Sequence, residues 1–323
     1  MRTGSKSAWV AASLLLGVSV AVGAQDAAPA KPMPAEIQPL TAKSLLLDVT
    51  RAGERVVAVG ERGAIIVSND GAQWTQVPVP VRSALTSVAF ADAQNGWAAG
   101  HDAAIVHTTD GGRNWTLQNF DPALEKPVLD LLVLDARHVL AVGAYGLLLE
   151  SRDAGASWTP IDVSGFNPEE FHFNAITQLA NGDLYIAGEQ GLMALSTDGG
   201  ASWKAQTSPY EGSYFGVLPH GAKGAIVFGL RGNVYVTDDA RSASWKRLDS
   251  GTVASLFGGA LKPAGGAVLV GLNGVILDVD AGGSVRASRT PAGTPLSAVL
   301  VDATRVLAVG ESGAQRISLN SAP

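Results

Sequence analysis

Several residue types in this chain stand where they could do chemistry. Glu61, Glu189 and Glu311 each follow a glycine directly, and carboxylates held at a fixed separation can run acid–base hydrolysis of a glycosidic bond. Arg62, Arg82 and Arg231 are candidates for gripping a carboxylate substrate, but their spacing assigns them to no triad. The histidines are His101, His107, His138, His172 and His220, and no pair has the helical spacing of a zinc protease. The run Glu169-Glu170-Phe171-His172 combines oxygen and nitrogen donors, too small a set by itself to hold a metal ion. No serine sits in a nucleophile elbow and no glycine-lysine phosphate loop exists. The absence of cysteine excludes a thiolate metal site, a thiol nucleophile and a lipoprotein attachment thiol. These residues predict no catalytic set, no metal and no cofactor.

The three glutamates share a position because the chain is a repeat. Short β-like runs end in glycine at Gly60, Gly100, Gly143, Gly188, Gly229, Gly271 and Gly310, with spacings of 40, 43, 45, 41, 42 and 39. A period near forty that holds several short strands per unit predicts propeller blades. Three residues after most of these glycines stands another, at Gly63, Gly146, Gly191, Gly232, Gly274 and Gly313, with Ala103 as the exception. Two residues between strands make a tight hairpin, and the second glycine supplies the positive φ it needs. Glu61, Glu189 and Glu311 are therefore solvated turn acids on this reading.

After the hairpin and another β-rich run comes a polar turn that in most units ends in tryptophan. The clearest copies run from Thr108 to Trp115, Ser151 to Trp158 and Ser196 to Trp203, with Asp110, Asp153 and Asp198 at the third position. The aspartate accepts backbone N–H bonds across the turn, and the indole buries between neighbouring sheets. Asp70 and Trp74 belong to a copy one residue short, Thr237 to Trp245 lacks the glycines, and Asp280 leads to Val285 in place of tryptophan.

Each unit then reads as four strands: A (such as Leu85 to Phe90), B ending at the repeat glycine, C leading into the Asp-turn, and D starting near the tryptophan. The expected fold is all-β, a seven-bladed propeller of four-stranded antiparallel blades over residues 35–323. The last unit stops at Pro323 with strands A, B and C only. Glu36-Ile37-Gln38-Pro39-Leu40 precedes the first strand A as Trp74 to Pro78 precedes the second, so residues 35–40 are expected to close the ring as the fourth strand of blade seven. Deleting residues 25–42 is then expected to destabilise the whole ring.

Arg2 and Lys6, an apolar run from Ala8 to Val22 and small residues at Val22 and Ala24 predict a signal peptide over residues 1–24, cleaved after Ala24. Residues 25–34, rich in Ala and Pro, read as a flexible leader. The protein is expected to be exported, periplasmic and monomeric, with no membrane span after cleavage. Cleavage leaves 21 basic against 29 acidic residues, which opposes nucleic-acid binding.

The glycine hairpin and Asp-box, carried by Thr108 to Trp115, Ser151 to Trp158 and Ser196 to Trp203, resemble the BNR/Asp-box propellers of the photosystem II assembly and stability factor family. That resemblance implies a non-enzymatic scaffold that binds a membrane or envelope protein client. Asp-box propellers also include sialidases, whose chemistry resembles an arginine triad, a tyrosine nucleophile backed by glutamate and an acidic proton donor. No Arg-Ile-Pro element opens the first blades here. A carbohydrate-active propeller, hydrolase or glycan-binding, is the alternative.

The B–C hairpins and D–A connections should open on one face, the A–B turns and Asp-boxes on the other. The longest D–A connections hold Phe166, Phe171, Phe173, Tyr210, Tyr214 and Phe215, a concentration in a chain only 6% aromatic. The expected partner-binding patch is Phe166, Phe171, His172, Tyr210 and Tyr214, supported by Tyr145 and Arg231, with Phe173 and Phe215 kept as core residues.

Overall fold

Strand B of each blade is a continuous apolar run, preceded in blade one by Arg55, because neighbouring blades cover both of its faces, which removes the alternation of a one-sided sheet. Val139–Gly143 and Leu184–Gly188 are buried at every residue. Strand D lies outermost, and Thr159–Pro160 and Lys204–Ala205 are exposed. The computed structural model describes residues 31–302, 306–317 and 319. The proposed signal peptide and residues 25–30 lie outside the described residues.

Seven antiparallel sheets follow in chain order, six of four strands and one of three among the described residues. The A strands are Leu46–Ala52, Leu85–Phe90, Val128–Val133, Phe173–Gln178, Tyr214–His220, Leu256–Leu261 and Leu296–Val301. They neighbour one another around the ring and line a central channel. Each interface between blades holds one buried cluster. Val57 and Val59 of blade one meet Val88 and Ala98 of blade two, and Leu46 and Val49 of blade one meet Leu307 and Val309 of blade seven. Hydrophobic packing between blades seven and one therefore closes the ring.

The expected strand closure differs. Blade seven has three described strands, Leu296–Val301, Val306–Gly310 and Gly313–Ile317, and residues 35–40 do not pair with them. That segment follows blade one: Ala35 N–H donates to Val79 O (3.0 Å), Gln38 N–H to Gln76 Oε1 (2.8 Å), and Gln76 Nε2 donates to Glu36 O (2.9 Å). Its backbone groups are thus partly satisfied elsewhere, and Pro39 has no N–H to give a ladder. Ile37 and Leu40 are exposed, and the chain first abuts blade seven at Ala42, whose carbonyl crowds Gly313.

A bulge recurs near the start of every A strand, where the pairing skips Leu47, Thr86, Leu129, Asn174, Phe215, Phe257 and Ser297. An extra residue re-aims its neighbours, and all seven skipped residues line the channel.

Candidate functional site

The local hydrogen bonds separate two faces. Each B–C hairpin is tied to the connection entering its own strand A: His101 N–H donates to Ala84 O, Ala144 N–H to Pro127 O, Glu189 N–H to His172 O and Leu230 N–H to Ser213 O, all at 2.9–3.0 Å. Three of the Asp-turns are tied to the A–B turn of their own blade: Gly111 N–H donates to Gln94 O (2.9 Å), Ala154 N–H to Arg137 O (3.0 Å) and Ala240 N–H to Lys223 O (2.9 Å).

On the hairpin face, the second hairpin residue is left-handed without being glycine at Arg62, Asp102, Tyr145, Gln190, Arg231 and Asn273, with φ between 50 and 60°. A left-handed non-glycine residue is strained by about 1–2 kcal/mol, and such strain gathers where a side chain must be presented. Arg62, Tyr145, Gln190, Arg231 and Asn273 are exposed. The glycine that follows in the other blades, where blade two has Ala103, is sterically required at some of these positions: a Cβ on Gly63 would stand 2.1 Å from Val81 O, and one on Gly191 2.2 Å from Tyr210 O.

The expected patch divides. Tyr145, 52% exposed, meets the half-buried His172 edge-to-face at 4.7 Å, and Arg231 is exposed on the hairpin of blade five. Phe171 is half-buried, its backbone clamped by Asn167, whose Oδ1 accepts the Phe171 N–H (3.0 Å). Tyr210 is also half-buried, stacked on Tyr235 at 6.2 Å. Phe166 is a core residue, stacked between Phe173 (5.7 Å) and Trp203 (6.2 Å). Tyr214 is also core: it pairs with Gly229 at the start of strand A, and its hydroxyl meets Ser208 Oγ at 2.9 Å. The bulge exchanges Tyr214 with its neighbour. Phe215, expected in the core, turns into the channel beside Phe257 at 5.6 Å. The signal was available in the spacing, since Phe173 and Tyr214 both stand fifteen residues before their repeat glycine.

The other candidate residues keep local partners. Glu61 Oε1 accepts from Leu45 N–H (3.4 Å) and Glu189 Oε2 from His172 N–H (3.3 Å), so both brace hairpins of separate blades. Arg62 and Arg231 stand on blades one and five, and Arg82 lies behind the hairpin of blade one against Gly63, which is no convergent triad. Glu170 approaches Lys126 (3.4 Å) and His172 Nδ1 approaches Glu189 (3.6 Å). Among the described residues no three His, Asp or Glu gather as a metal site.

On the opposite face Asp110 Oδ1 accepts N–H bonds from Arg113 and Asn114, both 2.9 Å, while Thr108 Oγ1 accepts from Gly112 (3.0 Å). The Ser157 hydroxyl and N–H hold Asp153 down to about 2, and those of Ser202 do the same for Asp198. Asp70 Oδ1 accepts from Ala72 and Gln73. Each indole lies in an interface with the preceding blade: Trp74 against blade seven, Trp115 blade one, Trp158 blade two, Trp203 blade three and Trp245 blade four.

The channel, a cavity of about 310 Å³, holds two carboxylates that the sequence reading did not single out. Asp48 Oδ2 accepts from Val88 N–H (2.8 Å) and Asp130 Oδ2 from Ile176 N–H (2.9 Å), each reaching the A strand of the next blade. Ser87 Oγ donates to Asp130 Oδ1 (3.0 Å). Burial deep in the ring pushes Asp48 up to about 7, against the N–H bonds and with help from the Asp130 charge; burial likewise raises Asp130 to about 6. Both keep some residual surface, facing only the channel.

Comparison with known proteins gives concordant results. The family model described as Photosynthesis system II assembly factor YCF48 matches residues 67–126 and 117–297. The photosystem II assembly lipoprotein Ycf48 of Synechococcus sp. (strain CC9902) is 27% identical over 162 residues, 49% of this chain and 48% of that protein. The chloroplastic photosystem II stability/assembly factor HCF136 of Arabidopsis thaliana is 23% identical over 140 residues, 41% of this chain and 34% of its own. The chain thus spans about half or less of the length of these relatives. Among solved structures, one described as YCF48 bound to D1 peptide superposes with a TM-score of 0.69 at 18% identity, covering 93% of this chain and 98% of that one. The WD40 propeller domain of Doa1 gives 0.67 at 14% identity, covering 89% and 96%; at such identities the likeness is one of fold.

Proposed function

The chain belongs to the photosystem II assembly factor YCF48 family, and from that premise we propose that it is a non-enzymatic, monomeric scaffold that docks a membrane or envelope protein client on its hairpin face. The observation that carries this reading is the set of left-handed hairpin residues, which hold six side chains of five types around one ring. Recognition centres on Tyr145 with His172, and on Arg231, on neighbouring sectors of that face. Phe166 and Tyr214 act from beneath by fixing the connections. The solved relative described as bound to a D1 peptide supports a client of the membrane-protein class. Export to the periplasm, read from Arg2, Lys6 and the apolar run to Val22, belongs to the same proposal.

Affinity capture from detergent-solubilised envelope tests it, with wild type set against a folded Tyr145→Ala/His172→Ala/Arg231→Ala variant. A client retained by the wild type and lost by the variant supports the docking face. Equal recovery removes that face from the reading, and turnover of a fluorogenic sialoside by the wild type would overturn the non-enzymatic assignment.

A further inference from the structure

Among the described residues, the interface between blades five and six lacks the indole found at five others. In blade six, strand C pairs with strand D as a plain hairpin, Val279 opposite Val285. The Asp280 turn closes on itself, with Oδ1 accepting from Gly282 (2.9 Å) and Ser284 (2.8 Å). Strand register puts Val285 at the tryptophan position, since the pair His107↔Thr116 in blade two corresponds to Asp278↔Arg286 here. A valine side chain cannot fill the space of an indole. Where blades five and six meet on the Asp-turn face there is an open cavity of about 400 Å³.

The floor of this cavity is the surface that carries an indole elsewhere. Trp115 packs in one cluster with Val57 and Val67, which stand three residues before and seven after Gly60. The residues at those positions around Gly229 are Ile226 and Val236, and both line the cavity with Leu248 and Val279. A Cβ added to Gly112 would come within 3.6 Å of both the Val57 side chain and the Trp115 ring, which fixes the correspondence in space. In blade four the same contact is Tyr185 against Trp245, edge-on at 6.3 Å.

The rim carries unequal charge. The Asp238 side chain is fully exposed, 3.5 Å from His220 Nε2, and Asp280 stands across the opening. Asp239 is neutralised by Lys223 at 2.6 Å, and Lys262, which also acts on Asp280, is paired with Asp278, so Lys246 is the cation on the cavity lining that faces Asp238 and Asp280. We propose that this cavity binds an aromatic side chain of a basic peptide segment, its ring taking the missing indole's place on Ile226 and Val236 and an adjacent Arg or Lys meeting Asp238 and Asp280. Burial of a ring supplies the anchor, and the rim supplies sign selectivity that weakens with salt. This site lies on the face opposite the hairpins and stands independently of the client-docking reading.

The test uses a fluorescein-labelled Gly-Arg-Trp-Arg-Gly peptide, its Gly-Arg-Ala-Arg-Gly counterpart and fluorescence polarisation on the full propeller. We expect saturable binding of the Trp peptide, at least tenfold weaker binding of the Ala peptide, and a three- to tenfold loss in Asp238→Asn/Asp280→Asn. Val285→Trp should abolish binding by filling the cavity from within and should raise the melting temperature. Should that variant fail to fold, Val236→Lys, which alters a half-exposed floor residue, should abolish binding alone. No saturable binding of the Trp peptide, equal binding of the Ala peptide, or unchanged binding in folded Val236→Lys would each overturn the proposal.

Discussion

Replacing Asp48 by asparagine separates the cost of a channel charge from the geometry that holds it. The carboxamide keeps an oxygen for the Val88 N–H and removes the titration. A rise from 3.8 to about 7, at about 1.36 kcal/mol per pK unit, corresponds to an upper bound of about 4 kcal/mol. Asp48 keeps part of its surface on the open channel and accepts hydrogen bonds that favour its charged form, so about 2 kcal/mol is the working figure. The sign follows from the raised folded-state value. The contribution is present in full below the unfolded pKa near 4 and is lost as pH rises through 7. Wild type and Asp48→Asn should therefore melt alike near pH 4, and the variant should melt higher at pH 8 by about 4–8 °C at about 2–4 °C per kcal/mol. Asp130, also raised by burial, titrates in both proteins. The acids whose values lie below the ordinary range, Asp153 and Asp198 among them, titrate below this window. Circular-dichroism melts at half-unit steps from pH 4 to 8.5 measure the difference directly. Parallel curves for the two proteins across that range would refute the channel-charge reasoning.

Ala103 occupies, at φ 47°, the hairpin position filled by glycine in the other blades; Ala103→Gly should stabilise by about 1 kcal/mol, seen in chemical denaturation. Gly63→Ala should do the opposite and cost at least about 2 kcal/mol, because its Cβ meets Val81 O at 2.1 Å. Trp115→Ala should cost about 3–5 kcal/mol by emptying the interface of blades one and two, a loss readable as a shifted urea midpoint. Phe166→Ala should lower stability by a similar amount, since its ring is sandwiched in the core, whereas Tyr145→Ala should change stability by less than about 1.5 kcal/mol while weakening client capture.

The repeat was legible because propeller blades are local: strand, hairpin glycine and Asp-turn all lie within some forty residues, so spacing alone gave seven blades and the B strands ending at their glycines. The division into two faces was equally legible, since it depends only on the alternation of turns along each blade. The client-facing aromatics were harder to place. Phe166, Tyr214 and Phe215 fall in or beside long connections, and their directions depend on a bulge and on the blades beside them. Chain spacing could have matched Tyr214 to Phe173, but no local signal places Phe166 between Phe173 and Trp203.

Three features belong to the ring and not to any one repeat. Residues 35–40 resemble a fourth strand in sequence, yet their hydrogen bonds go to Gln76 and Val79 of blade one, a choice between two neighbours that only the closed ring presents. Asp48 and Asp130 are ordinary strand residues until seven A strands converge and remove their bulk water. Val285 is a single lost tryptophan in the sequence; it becomes a cavity only because blade five presents the surface that an indole would have covered. Sequence determined the unit and its number, since those rest on short-range hydrogen bonding and turn conformation. Tertiary structure decided which side chains face the channel, the solvent or the core, since that depends on packing between units whose contacts are far apart in the chain.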